Sequence, residues 1–545
     1  MTDDIDVPVL IVGGGAVGLT LAIDLAWRGV DVLVVESRAR DEPPPPKCNH
    51  VAARSMEIFR RLGVAGKLRN AGLPPDYAND ISYRTSFTGQ ELARIPIPCR
   101  RDRYHATEGP DTGWPTPEPP HRINQIFLEP ILFDHAAQQP RLTVIDQATV
   151  EGYRVDGDRV LATATRRNGT TIRIACQYLV GCDGGRSSIR RQMGATFEGD
   201  AVVQRVQSTY IRAPGLIERQ HHAPAWATFA LNPERAGNVY AIDGAERWVV
   251  HNYLKPDEPG FEAVDRDHGI RTILGVGDDF DYETLLHMDW FGRRLVADRF
   301  HDGGRVFICG DAAHIWVPYA GYGMNAGIAD AANLAWLLAA HLEGWAPAAI
   351  LDAYQRERHP ITEQVSHFVM NHAHAMAGQR GAIPANIADD TPEAKAARQA
   401  LGRKAYDLNV QQYCCAGLNF GSFYDASPLI AYDGAEHPGY TMAEFTASTV
   451  PGCRLPHVWL DGGRSFYDAL GPDYTLLRLD PTIDVTPMLQ AARSRGLPLD
   501  LLDVSPQAPY DRALVLARPD QHVAWRGDQP PNDPLALVDR LRGAA

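Results

Sequence analysis

The sequence predicts an α/β protein: a parallel-sheet domain carrying an inserted antiparallel sheet, followed by a small C-terminal unit. Three observations predict it. Residues 7–36, VPVLIVGGGAVGLTLAIDLAWRGVDVLVVE, run strand, glycine turn, helix, strand, acid. Residues 200–295 contain strand-like stretches such as VQRVQSTYIRAP and ERWVVHNYLKP with period-two patterning, as antiparallel strands have. Residues 450–545 place a helical segment, MLQAARSRG, between the apolar strands DYTLLRLD and RALVLARPDQHVAWRG.

The first stretch has the offsets of a dinucleotide-binding βαβ unit. Gly13 can take the positive φ of the tight turn, Gly15 lets backbone approach a pyrophosphate, and Gly18 lets helix and strand pack closely. The helix N-terminus offers N–H groups and partial positive charge to phosphates. Glu36 ends the second strand, where a carboxylate accepts hydrogen bonds from a ribose.

At 545 residues the chain should hold two or three domains. It is 45% hydrophobic and 22% charged, as soluble globular proteins are. A net charge of −14 argues against nucleic-acid partners, which need a basic surface. The acidic start MTDDID and the absence of a long apolar run predict neither signal peptide nor membrane span. Eight scattered cysteines, with no CxxC and no metal-ligand spacing, predict reduced cytoplasmic thiols and no metal site.

Along the chain, a proline run at 43–46 leads to Asn49 and His50, then to an amphipathic helix begun near Arg54. HRINQIFLEPILFDHAAQ predicts a helix with Arg122, Gln125 and Glu129 on one face. Residues 141–181 predict a β-meander returning to a parallel strand, which ends in Cys182, Asp183 and Gly184 before a helix carrying an exposed Arg190. The strand Val306–Cys309 ends in Gly310 and Asp311, and a glycine-lined loop opens a long helix from about Asn325. No second glycine–acid pairing follows, so one dinucleotide is expected. From 345 to 405 the pattern is helical. The tail has the order of a thioredoxin-type fold without its redox cysteines.

Three separated motifs, GGGAVG…VVE at 13–36, CDGGRSSIR at 182–190 and GDAAH…PYAGYGMNAG at 310–327, together resemble the class A (single-component) flavoprotein aromatic hydroxylases. PGCRLPHVWLDGGRSFYDALG and the tail resemble their phenol hydroxylase branch, and the likeness covers nearly the whole chain. It implies a Rossmann-type FAD-binding domain (1–75, 120–195 and 296–380) and an inserted antiparallel-sheet substrate domain (76–119 and 196–295). A helical and loop linker (381–449) and a thioredoxin-like C-terminal domain (450–545) would follow.

By the same resemblance, Gly13, Gly15, Ala16, Gly18 and Glu36 hold the adenosine end of a tightly but non-covalently bound FAD. Arg54, Arg122 and Gln125 match positions used against FAD. Asp183 and Gly184 reach the cofactor, Asp311 its ribityl-phosphate region, and Gly323, Met324 and Asn325 its isoalloxazine, with Pro318 at the flavin edge. NAD(P)H is the implied transient donor and O₂ the co-substrate. A C4a-hydroperoxyflavin would transfer OH⁺ to an electron-rich ring of a small phenolic or polycyclic aromatic substrate. A homodimer is left open. Ser37 stands where relatives usually carry arginine, which leaves Arg38 as the substitute; Tyr322 and Leu337 replace a usual glutamine and lysine. A base near the phenol oxygen would help, with His50 the first candidate and Tyr240 the second. The alternatives are Baeyer–Villiger oxygenation on the same scaffold and a non-catalytic flavin-binding protein. The missing WxWxIP segment argues against a halogenase.

Overall fold

The computed structural model describes residues 3–545. At its centre the strands Leu142–Ile145, Val32–Val35, Asp3–Val12 and Thr171–Gly181 lie side by side in parallel, and Val306–Ile308 adds in parallel beside the end of Thr171–Gly181. Val9, Leu10, Ile11, Val34 and Leu179 are fully buried, as strands covered by helices on both faces must be. Thr171–Gly181 is shared between two neighbours on one edge: its first half pairs antiparallel with Arg159–Arg166, its last three residues pair parallel with Val306–Ile308. With Ala148–Asp156 this forms the meander read from the DG and NG turns. The helix Ala16–Trp27 returns the chain between the first two strands. The long apolar helix Tyr322–Leu342 packs on it, with Gly327 against Val17.

The second sheet runs Gln204–Arg212, Arg247–Tyr253, Gly237–Ala241 and Ala227–Ala230, all antiparallel. Ile81–Arg84 adds in parallel to Ala227–Ala230, and Glu91–Ile95 closes that edge. Tyr83 stacks on Phe229 at 5.1 Å and Phe87 meets Trp248 edge-on at 5.2 Å inside it.

Residues 381–449, expected as a linker, are instead a wall of this second core. The helix Pro392–Tyr413 runs eight residues beyond Ala405, and Leu401, Ala405, Tyr413, Cys415 and Leu418 are buried in the sheet's cluster. Close packing holds this helix: a Cβ on Gly402 would stand 2.1 Å from the carbonyl oxygen of Leu92.

The C-terminal sheet has the order Leu499–Asp503, Tyr474–Arg478, Leu514–Ala517, Val523–Gly527, the first pair parallel and joined by the helix Thr486–Arg495. That order and direction are thioredoxin-like. Its two inner strands and its far strand bury both faces: Leu476, Leu516 and Ala524 join the main core, while Leu477, Val515 and Val523 form a core of their own. Trp336 and Trp345 of the first domain meet Tyr474 edge-on. All eight cysteines are free thiols, and no helix among the described residues is long and apolar enough to cross a membrane.

The wall formed by Pro392–Tyr413 predicts that Gly402→Ala costs roughly 1–3 kcal/mol through overpacking. Thermal unfolding should show a lowered transition. An unchanged transition would return 381–449 to the role of a loose connector.

Candidate active site

Three turns meet at the C-terminal ends of three neighbouring parallel strands, where open α/β sheets bind ligands. Cys182 N donates to Val12 O at 2.7 Å, and Cys309 N donates to Gly181 O at 3.0 Å. Gly13 has φ +106°, and a Cβ there would lie 2.4 Å from Cys182 O, so only glycine fits between the first two turns. Val17, on the first helix, packs against Gly310 and Gly327 of the third.

The helix Ala16–Trp27 starts at Gly15 with no side-chain cap. Two carboxylates stand at that start instead. Gly14 N donates to Glu36 Oε2 at 2.6 Å, and Ala16 N donates to Glu129 Oε1 at 3.3 Å. Arg38 bridges both acids, at 3.2 and 2.9 Å; burial lowers its pKa, but Glu129 and Glu36 outweigh burial and raise it. Arg38 therefore supplies the charge beside Glu36, and Ser37 is exposed. Gln125 donates to Glu129. Arg122 does not share that face. Asn124 caps the helix by accepting from Ile126 N at 3.0 Å, the helix begins at Gln125, and Arg122 precedes it.

In the second turn, Asp183 Oδ2 accepts from Ser188 N at 2.7 Å and Ser188 Oγ at 3.0 Å, whereas Oδ1 has no partner. One oxygen caps the helix Ser188–Met193, the other is left unpaired, and the next residue, Gly184, is half-buried. Arg190 is buried rather than exposed: it lies 3.7 Å over the Phe197 ring and donates to Ala312 O at 3.2 Å, tying the second turn to the third.

In the third turn Asp311 and Pro318 are exposed, Gly323 and Met324 half-buried, and Asn325 buried. The helix starts at Tyr322, three residues before Asn325. Asn325 is a clamp: its Oδ1 accepts from Ala52 N at 2.8 Å and its Nδ2 donates to His50 O at 3.0 Å. Behind the turn lies a group that sequence reasoning missed. Asp330 accepts from Arg358 Nε at 2.9 Å and from Gly310 N at 3.3 Å, and pairs with His314 Nε2 at 2.6 Å, with Asp330 itself fully buried. Burial alone would raise its carboxyl pKa; His314 and Arg358 outweigh that and lower it. A lone acid in the apolar run GIADAANLAW was the available signal.

Across the third turn, the second sheet contributes Trp226 and Tyr240, with Tyr413 from the Pro392–Tyr413 helix; ring centroids lie 5.5 and 6.3 Å from Trp226. Tyr240 Oη accepts from Asn238 Nδ2 at 3.2 Å, and burial pushes its phenol pKa up. His251, 5.3 Å away, is pushed down to about 4 by burial and stays neutral. His50 packs on Gly321, where φ is +60° and a Cβ would lie 2.8 Å from the His50 Cβ.

The His50 ring overturns its reading as a base. Arg122 Nη1 contacts His50 Nδ1 at 2.6 Å. A guanidinium only donates, so Nδ1 accepts. Burial, with Arg122 beside it, holds the imidazole pKa well below the usual range. The neutral ring thus carries its proton on Nε2, which has no partner: the free edge of His50 is a donor.

Arg54 is committed elsewhere. Its fork donates to Glu57 at 2.7 Å, Gln521 at 2.6 Å and Asp520 O at 2.7 Å, tying the Ala53–Arg61 helix to the C-terminal unit. Arg454 joins Glu57, and Arg518 bridges Glu357 and Asp520. Tyr322 donates to Leu418 O and Leu337 is fully buried, so both departures face packed protein.

Residues 6–369 match the FAD binding domain family, and residues 448–545 the aromatic-ring hydroxylase C-terminal family. The tetracenomycin B2 monooxygenase-dioxygenase of Streptomyces olivaceus is 32% identical over 98% of both chains. The phenol 2-monooxygenase of Pseudomonas sp. (strain EST1001) is 27% identical over 99% of this chain and 93% of its own. The solved structure of the rebeccamycin biosynthetic enzyme RebC with reduced flavin superposes with a TM-score of 0.90 at 33% identity, covering 99% of this chain and 100% of that one.

The interface charges set a pH dependence. Burial would raise the Glu57 carboxyl pKa, but Arg454 and Arg54 outweigh it and the net shift is downward. A depressed folded pKa contributes stability above the unfolded value of ~4.3 and loses it as pH falls through the folded value. Protease resistance of the C-terminal unit should therefore drop below about pH 4. Glu57→Gln, which leaves buried arginines uncompensated, should cost roughly 3–5 kcal/mol at neutral pH and flatten the acid-dependent loss. Equal pH profiles for both proteins would contradict the role given to Glu57.

Proposed function

From the premise that this chain belongs to the FAD-dependent aromatic-ring hydroxylases, we propose that it inserts one oxygen atom into a phenolic or polycyclic aromatic substrate at the expense of NAD(P)H and O₂. The observation carrying this reading is the convergence of the three turns beside the wall of Trp226, Tyr240 and Tyr413. The relatives support the substrate class, since their names include a phenol monooxygenase and a tetracenomycin oxygenase.

The residues present fit FAD. The Gly13 cradle admits no side chain, the helix N-cap Gly15 contributes no side chain of its own, and Asp183 Oδ1 is buried without a partner. Gly13, Gly15, Ala16 and Gly18 would carry the pyrophosphate, with Glu36, Arg38 and Gln125 at the adenosine end. Asp183, Gly184 and Asp311 would lie along the middle. Gly323, Met324 and Asn325 would meet the ring system, with Pro318 beside it. When bound, FAD supplies electron storage and oxygen activation, chemistry no side chain here provides.

The chain's own residues do the rest. Asp330, through Gly310 N and His314, holds the third turn rigid. Asn325 anchors the His50 segment to that turn. Trp226, Tyr240 and Tyr413 offer apolar faces that orient a flat ring and exclude water, which protects a reactive centre from hydrolysis. Tyr240, neutral through burial, can hydrogen-bond a substrate oxygen without adding charge.

A panel of phenols, naphthols and hydroxyanthraquinones scored for stimulated NAD(P)H oxidation tests the reading. The product should gain one oxygen as a hydroxyl; an ester oxygen in the product, or FAD-loaded protein that never oxidises NAD(P)H with any of them, would overturn it. Gly13→Val should abolish FAD retention through its clash with Cys182 O, measured as flavin absorbance per protein.

A further inference from the structure

Between the strand His314–Ile315 and the helix Tyr322–Leu342, the third turn passes through two consecutive residues in the left-handed region, Ala320 at φ +56° and Gly321 at φ +60°. Glycine takes that conformation freely, but alanine does not, because its Cβ crowds the following carbonyl oxygen. A non-glycine residue stays there only where its surroundings over-determine it. The residues flanking the pair are both tyrosines, and both are buried. Tyr319 Oη donates to Gln204 Oε1 at 3.0 Å and accepts from Arg380 Nη1 at 3.3 Å. Arg380 Nη2 donates to the same Gln204 oxygen at 2.9 Å, and its guanidinium lies 4.1 Å from the centroid of Tyr253. Tyr322 Oη donates to Leu418 O in the short helix Ala416–Phe420. One end of the left-handed pair is thus fastened to the second sheet and to the last turn of the helix Ala353–Gly381, the other to the segment that follows Tyr413.

Resting on the hydroxylase reading, we propose that Tyr319 and Tyr322 are positioning residues for oxygen transfer: a two-point clamp that holds the left-handed Ala320–Gly321 turn, and with it the backbone from Pro318 to Met324 that would meet the ring system of FAD. Neither hydroxyl has to touch substrate or cofactor, since both are spent on protein oxygens. Without them Ala320 is free to leave its disfavoured conformation, and the turn moves with it. A displaced turn admits water to the centre that it should shield. Turnover then runs NAD(P)H + H⁺ + O₂ → NAD(P)⁺ + H₂O₂, with no oxygen entering the product.

The test is Tyr319→Phe/Tyr322→Phe in the FAD-loaded protein, which removes two hydroxyls and keeps both rings. Amide hydrogen exchange across 318–324 should quicken about tenfold, the worth of two lost hydrogen bonds. Exchange in the helix Ala16–Trp27, flavin content and the rate of flavin reduction by NAD(P)H should stay at wild-type values. With a phenol that wild type hydroxylates, the share of consumed O₂ recovered as H₂O₂ should rise at least ~threefold. Tyr322→Phe alone should move both readouts the same way by a smaller factor. Adding Ala320→Gly to the double variant, which removes the cost of the left-handed φ, should reverse about half of the H₂O₂ rise or more. Unchanged exchange at 318–324, an unchanged H₂O₂ share, no reversal by Ala320→Gly, or exchange quickened equally in the helix Ala16–Trp27 would each overturn the proposal. Failure of the hydroxylase reading looks different: wild type would then hold no FAD, or would oxidise no NAD(P)H with phenols.

Discussion

Backbone contact between strand ends is the constraint on which the rest depends. The Gly13 turn closes against Cys182 O with no room for a side chain. Cys309 pairs back to Gly181, so three chain segments separated by more than a hundred residues share one ledge. Everything able to hold a flat, polar cofactor stands on that ledge, and the first helix begins there with its N–H groups directed at two acids. Close backbone approach is rigid in a way side-chain contact is not, because no rotamer can relax it.

Around this ledge the chain places charge with care. Asp24, Asp330 and Glu57 are acids without solvent access in otherwise packed surroundings, and each is met by arginine. Breaking one partner of such a pair leaves the other stranded in low dielectric. Asp330 transmits rigidity to the turn bearing Asp311 and Pro318; Glu57 transmits the C-terminal unit's position to the Ala53–Arg61 helix. The C-terminal unit is therefore not an appendage. Its sheet shares the main core on one face; at the helix that follows the His50 segment, the Asp520 carbonyl and the Gln521 amide oxygen accept from Arg54, and Arg454 pairs with Glu57.

The aromatic wall follows another logic. Its rings are held by core packing, and it is polar only through neutral groups and Arg122. The tyrosines and histidines there are kept uncharged by desolvation, so the charge in the wall comes from arginines.

The amino-acid sequence by itself determined the strands, the glycine turns and the family, because these are local: period-two and period-3.6 patterning, Gly13 beside Gly15 and Gly18, and acids or glycines at strand ends follow from the covalent chain. It also signalled the C-terminal order of strand, helix and strands. Only the tertiary structure decided what individual side chains face. Arg122 reads as the first residue of a helical face until Asn124 caps the helix and turns it toward Trp226. His50 reads as a base until Arg122 takes its Nδ1. Arg190 reads as exposed until Phe197 covers it, and Arg54 reads as a flavin contact until Asp520 and Gln521 take its fork. Residues 381–449 read as a helical and loop linker because the partner that Gly402 fits, Leu92, lies three hundred residues away in the chain. Each of these depends on a contact made at long range, and a hydrogen-bond partner or packing surface distant in the chain leaves no periodic trace in it.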